Sequence, residues 1–237
     1  MKMPKSKNGT IRESFELKEI SLTDRDLYFD YMKISEFPTN VFSWYFPYLW
    51  SSSQSSIRKI RWSMFDDMLV TFAHTRRDIL YLWCLPFGPG GLEKVIEVLY
   101  QSLKYCTQWN KEKGFKPMVR TINNPQLEYL QKYSNFSKLF YTKRLNGIER
   151  LHSMKNLLTL PGRDFGKIRN KMRKFHKNQP EALLREFEQQ DYDALLELQD
   201  YWNNTTGKKY KRIYDSVRYC ETIKHFQKLQ HLILVME

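Results

Sequence analysis

IRKIRWSMFDDMLVTFAHTRRDILYLWCL, residues 57–85, holds three runs rich in β-branched and aromatic residues: 57–63, 68–74 and 79–85. Asp66-Asp67 separates the first two, and Arg76-Arg77-Asp78 the last two. Such runs, bounded by short polar breaks, read as strands. Breaks this short join neighbours antiparallel, so the stretch predicts a three-stranded meander. Pro86-Phe-Gly-Pro-Gly-Gly91 then ends it.

Upstream, 13–20 reads as a strand. Thr23-Asp-Arg-Asp26 resembles a capping box that opens a helix to about residue 34. Residues 35–50 are aromatic-rich and read as a helix and turn, with 51–56 a Ser/Gln loop. Downstream, Leu92, Val95, Ile96, Leu99, Leu103 and Cys106 recur at helical spacing and predict a helix over 92–109. Residues 115–121 read as a strand, 125–132 as a helix opened by Pro125, and 137–145 as a further strand.

Asn146-Gly147 marks a turn, where a domain boundary is expected: a first domain over 1–146 and a second over 147–237. In the second part, 163–177 reads as a basic helix and 181–188 as a strand. Asp191 caps a helix to about 203, 214–230 forms another, and 232–236 reads as a buried strand. The β-α-α-β opening of the first part thus recurs, which suggests a duplication whose second copy is incomplete. The full order of the first part matches that of a GNAT-type acyltransferase fold. The expected fold class is therefore α/β (α+β), with tandem GNAT-like mixed sheets flanked by helices.

The chain has 237 residues, with 39 Lys and Arg against 26 Asp and Glu, a net charge of +13. Such a surface attracts nucleic acid, anionic lipid headgroups or phosphorylated small molecules. Cys84, Cys106 and Cys220 are odd in number and show no CxxC spacing, which argues against a disulfide framework or structural zinc and for reduced thiols. The five His show neither HxxxH nor HExxH spacing, so no metal site is expected, and no GxSxG elbow is present. No apolar run approaches the ~18 residues that span a bilayer, and no apolar segment follows the basic start MKMPKSKNGT. A cytoplasmic protein is expected, with peripheral contact to the membrane open to it.

Nearly half of the net charge sits in LPGRDFGKIRNKMRKFHK, residues 160–177, which carry seven Lys and Arg and one Asp. On a helical wheel Phe165, Ile168, Met172 and Phe175 share one narrow arc, expected to dock on the domain. The cations cover the rest. Lys167/Lys171, Arg169/Arg173 and Arg173/Lys177 are like-charge pairs at i,i+4, which cost a few tenths of a kcal/mol each. A solvated face usually mixes signs, so the pattern favours an anion-binding role, with Arg163 and Arg169 offering paired donors to phosphate. A plain solvated face is the alternative.

These residues resemble a known family. Leu160, Gly162, Arg163, Phe165, Arg169-Asn170 and Phe175 are similar to a motif of the phosphatidylglycerol lysyltransferase C-terminal-like family. Ser35-Glu36 with Asn40 and Trp44, the Leu85-Pro86-Phe87-Gly88 turn, and Leu195–Trp202 resemble further segments of it. The resemblance implies a tandem GNAT fold and transfer of an aminoacyl group from charged tRNA to a lipid headgroup or other small acceptor. On that reading Arg163, Lys167, Arg169, Asn170 and Arg173 bind the phosphate-bearing partner. Glu36, Asn40, Trp44 and Trp202 line a pocket, with no catalytic base named. Aminoacyl-tRNA is the donor and no other cofactor is implied. Two alternatives stay open: a non-catalytic module binding tRNA, lipid headgroups or other anions, and an acyl-CoA N-acetyltransferase. For the latter the Phe87-Gly-Pro-Gly-Gly91 loop is poor, because its prolines lack N–H donors.

Overall fold

A computed structural model describes residues 15–39, 41–120, 122–146, 152–210 and 216–237. Contacts divide the chain into two compact units: Met1–Arg144 with Arg212–His225, and Leu145–Lys211 with Phe226–Glu237. Expectations for residues 1–14, Asn40, Thr121, Gly147, and 214–215 lie outside the described residues.

The first unit is built on an antiparallel sheet of order β1-β2-β3-β4: β1 (Lys18–Glu19), β2 (Arg58–Phe65), β3 (Met68–Thr75) and β4 (Leu80–Leu82). Asp66 and Asp67 sit at φ 49° and 57°. Two consecutive left-handed residues match the twist of a two-residue hairpin, and Asp tolerates that conformation. The turn sets the register Phe65↔Met68. Residues 68–73 of β3 are all buried, because the strand is central and covered on both faces.

Helices α1 (Arg25–Lys33), α2 (Phe46–Ser53) and α3 (Leu92–Trp109) pack on this sheet. Burial of Val95, Ile96, Leu99 and Cys106 follows the expected face of α3. Tyr28, Trp44, Phe46, Phe72 and Phe87 make an aromatic core, and the Tyr28 hydroxyl donates to the Trp44 carbonyl at 2.9 Å. The capping box lies two residues upstream of the expected one: Ser21 and Asp24 form it around a 3-10 turn, Leu22–Asp24, that runs into α1. Ser51, Ser52 and Ser53 are not loop but the buried last turn of α2. Their small side chains admit close packing on β2, and Ser53 Oγ accepts from the Ile60 N–H at 2.9 Å.

Two expected strands are corrected. Among the described residues of 115–120 only Val119 bridges to Leu82, in parallel, since Pro117 has no N–H to continue a ladder. After α4 (Asn124–Gln131), residues 137–145 do not form a strand: α5 (Phe136–Leu139) occupies the start. The helical turn brings Phe136 and Phe140, four residues apart, to 5.3 Å.

The Asp78 turn closes the far end of the sheet at φ 55°. Its carboxylate meets His74 at 2.6 Å and also the Lys113 ammonium, which together hold its pKa down at about 2. A depressed carboxylate contributes stability above its unfolded value near 3.8 and loses it as pH falls towards 2. Wild type is therefore expected to lose more stability than Asp78→Asn between pH 5 and pH 2.5, in urea titrations at both pH values. For this half-exposed group the difference is up to about 1 kcal/mol.

The second unit holds α6 (Met154–Thr159), α7 (Gly166–Asn178), β5 (Leu184–Glu186), α8 (Tyr192–Asn204) and β6 (Leu234–Met236), with α9 (Ser216–Lys224) assigned to the first unit. β5 and β6 pair antiparallel, Arg185 opposite Val235. Phe187 meets Phe226 edge-on at 5.1 Å, and Leu229 is buried. The β6 strand was expected to be buried, but Leu234 and Met236 are 52% and 58% exposed, on a sheet of two strands.

The entry to α8 repeats that to α1. Ser21 and Glu188 cap short 3-10 turns at φ/ψ −123°/164° and −115°/158°, and Asp24 and Asp191 open the helices at −81°/−4° and −79°/−7°. Each Asp accepts the N–H of its capping partner, at 2.7 and 2.8 Å. Each also anchors a side chain from its sheet: the Trp62 indole at 3.0 Å on Asp24, the Arg185 fork at 2.7 and 2.8 Å on Asp191.

Candidate anion-binding site

The basic helix α7 follows a turn made by two left-handed residues, Leu160 at φ 43° and Gly162 at φ 70°. Leu160 closes α6, its N–H donating to the Asn156 carbonyl at 2.8 Å. The Gly166 N–H donates to the Arg163 carbonyl at 2.9 Å, starting α7 three residues later than expected. No side chain caps this end. Free N–H groups of a helix N-terminus and a nearby Arg favour an anion there.

Arg163, Lys167, Asn170, Lys171, Arg173, Lys174 and Lys177 are exposed, and among the described residues none of these cations is ion-paired. Arg169 stands apart. It is half-buried, and its guanidinium folds back to donate to the Leu160 carbonyl. It thereby ties the left-handed turn to the helix and has fewer donors left for a ligand. The expected docking of the apolar stripe is not seen: Ile168, Met172 and Phe175 are 43%, 48% and 38% exposed. The helix presents both its cations and its stripe to the surface.

Of the expected pocket residues, Glu36 is exposed, accepts from the Tyr129 hydroxyl at 3.4 Å and faces Gly91. Burial and the Glu36 charge push the Tyr129 phenol up to about 12. Trp44 is fully buried in the first unit's core, between Phe37 and Phe87. Trp202 lies in the second unit, against Gly207, whose added Cβ would come within 2.6 Å of the indole. Asn40 is outside the described residues.

The 87–91 loop is a structural turn. The Gly88 N–H is taken by Ser35 Oγ at 2.9 Å, and Phe87 pairs with Leu69 through both main-chain groups. An anion there would face the Glu36 carboxylate. Burial pushes the Cys84 and Cys106 thiols up to about 12, so neither is a nucleophile at neutral pH. Among the described residues no cluster of His, Cys, Asp or Glu suits a metal ion, and no helix is long and apolar enough to cross a membrane. A second group of cations, around Arg58 and Arg120, escaped the sequence reading. Its members are remote in the chain, and Trp83 is hidden in an apolar run.

The family described as phosphatidylglycerol lysyltransferase, C-terminal, matches residues 47–235. The chain belongs to this family. The match takes in α7 and Trp202 of this phosphatidylglycerol lysyltransferase C-terminal family member, whereas Glu36, Asn40 and Trp44 precede it. Its fold is similar to that of a conserved protein of unknown function from Bacteroides thetaiotaomicron VPI-5482, with a TM-score of 0.70 and 16% identity. That similarity covers 94% of this chain and 71% of the other. No curated protein matches the chain.

Proposed function

We propose that this protein is an aminoacyltransferase-like protein with a tandem GNAT-type plan, in which α7 holds the phosphates of an aminoacyl-tRNA acceptor end. The observation that carries the reading is the exposed, unpaired row of Lys and Arg on α7. Membership of the family adds the reaction class, and the repeated entry to α1 and α8 supports the tandem plan. In the reaction, an acceptor hydroxyl or amine attacks the ester carbonyl of the bound aminoacyl group. A new ester or amide bond forms, the bond to the tRNA ribose oxygen breaks, and the proton of the acceptor leaves with that oxygen. No covalent enzyme intermediate is needed; the protein positions both groups. The acceptor is a lipid headgroup or another small molecule. The exposed stripe Ile168, Met172 and Phe175, flanked by cations, suits peripheral contact with an anionic lipid surface. The protein would work in the cytoplasm or at its membrane face.

Labelled aminoacyl-tRNA and acetyl-CoA, each incubated with the protein, test the reading. Discharge of aminoacyl-tRNA is expected; discharge of acetyl-CoA alone would overturn it in favour of an N-acetyltransferase. Tight tRNA binding without discharge would point to the non-catalytic module. The Lys167→Glu/Arg173→Glu variant is expected to weaken tRNA binding about 10-fold or more. It should also flatten the slope of log K against log salt by roughly 1.5.

A further inference from the structure

We propose that a cavity in the first unit binds a small phosphate ester, independently of α7. Ser43, Tyr48, Arg58, Trp83 and Arg120 line a cavity of about 260 Å³. They converge from separate places: Ser43 from a 3-10 turn before α2, Tyr48 from α2, Arg58 from the first position of β2, Trp83 from just beyond β4, and Arg120 from the segment after the Val119 bridge. No carboxylate lines the cavity, and neither arginine has an ion-pair partner among the described residues. Two uncompensated guanidinium groups on one cavity repel each other, and a single dianion relieves both. Their planar forks match the oxygens of a phosphate.

The cavity is held in shape. The Trp83 indole N–H donates to the Ser43 carbonyl at 2.7 Å, and the Arg58 guanidinium lies over the Trp83 ring at 5.1 Å. On the neighbouring wall Arg218 of α9 covers the Tyr48 ring at 4.8 Å, adding a third guanidinium beside the site.

The same geometry limits the ligand. Guanidinium groups lie over the Trp83 and Tyr48 rings, so these rings are poorly placed to stack a nucleobase. The volume lies just under the roughly 300–1,000 Å³ of drug-sized sites. A phosphate monoester on a short aliphatic group fits both limits, whether free in solution or as the headgroup of a lipid.

The test titrates the full chain with glycerol 3-phosphate, dihexanoyl phosphatidic acid below its micellar concentration, and glycerol, reading calorimetric heat and tryptophan fluorescence. Binding of at least one phosphate ester, and none of glycerol, is expected; the tighter of the two esters identifies the source. Arg120 is exposed, so Arg120→Ala should retain the far-UV circular dichroism of the parent. Its affinity is expected to fall about 10-fold or more, and Arg58→Lys, which keeps the charge but loses the fork, should also weaken binding. Ester binding that survives both arginine changes would overturn the site. Failure of both esters to bind would do the same, and would leave the tRNA reading of α7 untouched.

Discussion

Asn110→Ala is expected to destabilise the first unit by about 2–6 kcal/mol, seen as a lower midpoint in urea titration with an unchanged slope. Asn110 follows the last residue of α3 and is 1% exposed. Its amide nitrogen donates to the Leu80 carbonyl at 2.6 Å, and its Oδ1 accepts the Leu80 N–H at 3.0 Å. One side chain thus takes the place of a neighbouring strand for the first residue of β4. Removing it strands a buried donor and a buried acceptor together, and each costs its own desolvation. Asn110→Asp keeps the acceptor but turns a buried carboxylate oxygen towards the Leu80 carbonyl, so at neutral pH it should cost at least as much as Asn110→Ala. A midpoint for Asn110→Ala equal to that of wild type would show that Leu80 finds water instead.

Trp44→Ala is expected to cost about 3–5 kcal/mol, by thermal or urea unfolding. The ring is wholly buried, edge-on to Phe37 at 6.0 Å and nearly parallel to Phe87 at 6.2 Å. The Tyr28 hydroxyl bonds to the main-chain carbonyl of Trp44, so Trp44→Phe keeps that bond and an aromatic ring in the core. It should be much milder. If Trp44 serves the core, Trp44→Phe will bind tRNA as wild type does; a large loss of affinity in a folded Trp44→Phe would return the residue to a ligand site.

Legibility in the sequence followed the strength of local signals. The hairpin was readable because Asp66-Asp67 is both a polar break and a pair that tolerates left-handed backbone. Helix α3 was readable to the residue because its apolar positions recur for five turns. Residues 137–145 misled because aromatic and β-branched composition reads as strand, while the Phe136–Phe140 spacing needed a helical turn. Ser51–Ser53 misled for a related reason: polarity suggests a loop, but small size is what the packing of α2 required. For the site, the charge excess of α7 could be read directly, whereas the inward turn of Arg169 could not, since it depends on the left-handed Leu160. The Arg58–Arg120 cavity left no linear trace at all. Its walls meet only through the folding of β2–β4 and the bridge from Leu82 to Val119.

Helix α9 carries a consequence for synthesis. It belongs to the first unit, where Arg218 covers Tyr48 and His225 meets the Trp50 ring at 5.0 Å, yet it is encoded after most of the second unit. Between residue 144 and Ser216 the ribosome adds the bulk of the second unit. At translation speeds of about 5–20 residues per second, α2 waits on the order of ten seconds for its cover. During that interval the nascent chain exposes Tyr48 and Trp50, which gives chaperones a defined window in which to hold the newborn first unit.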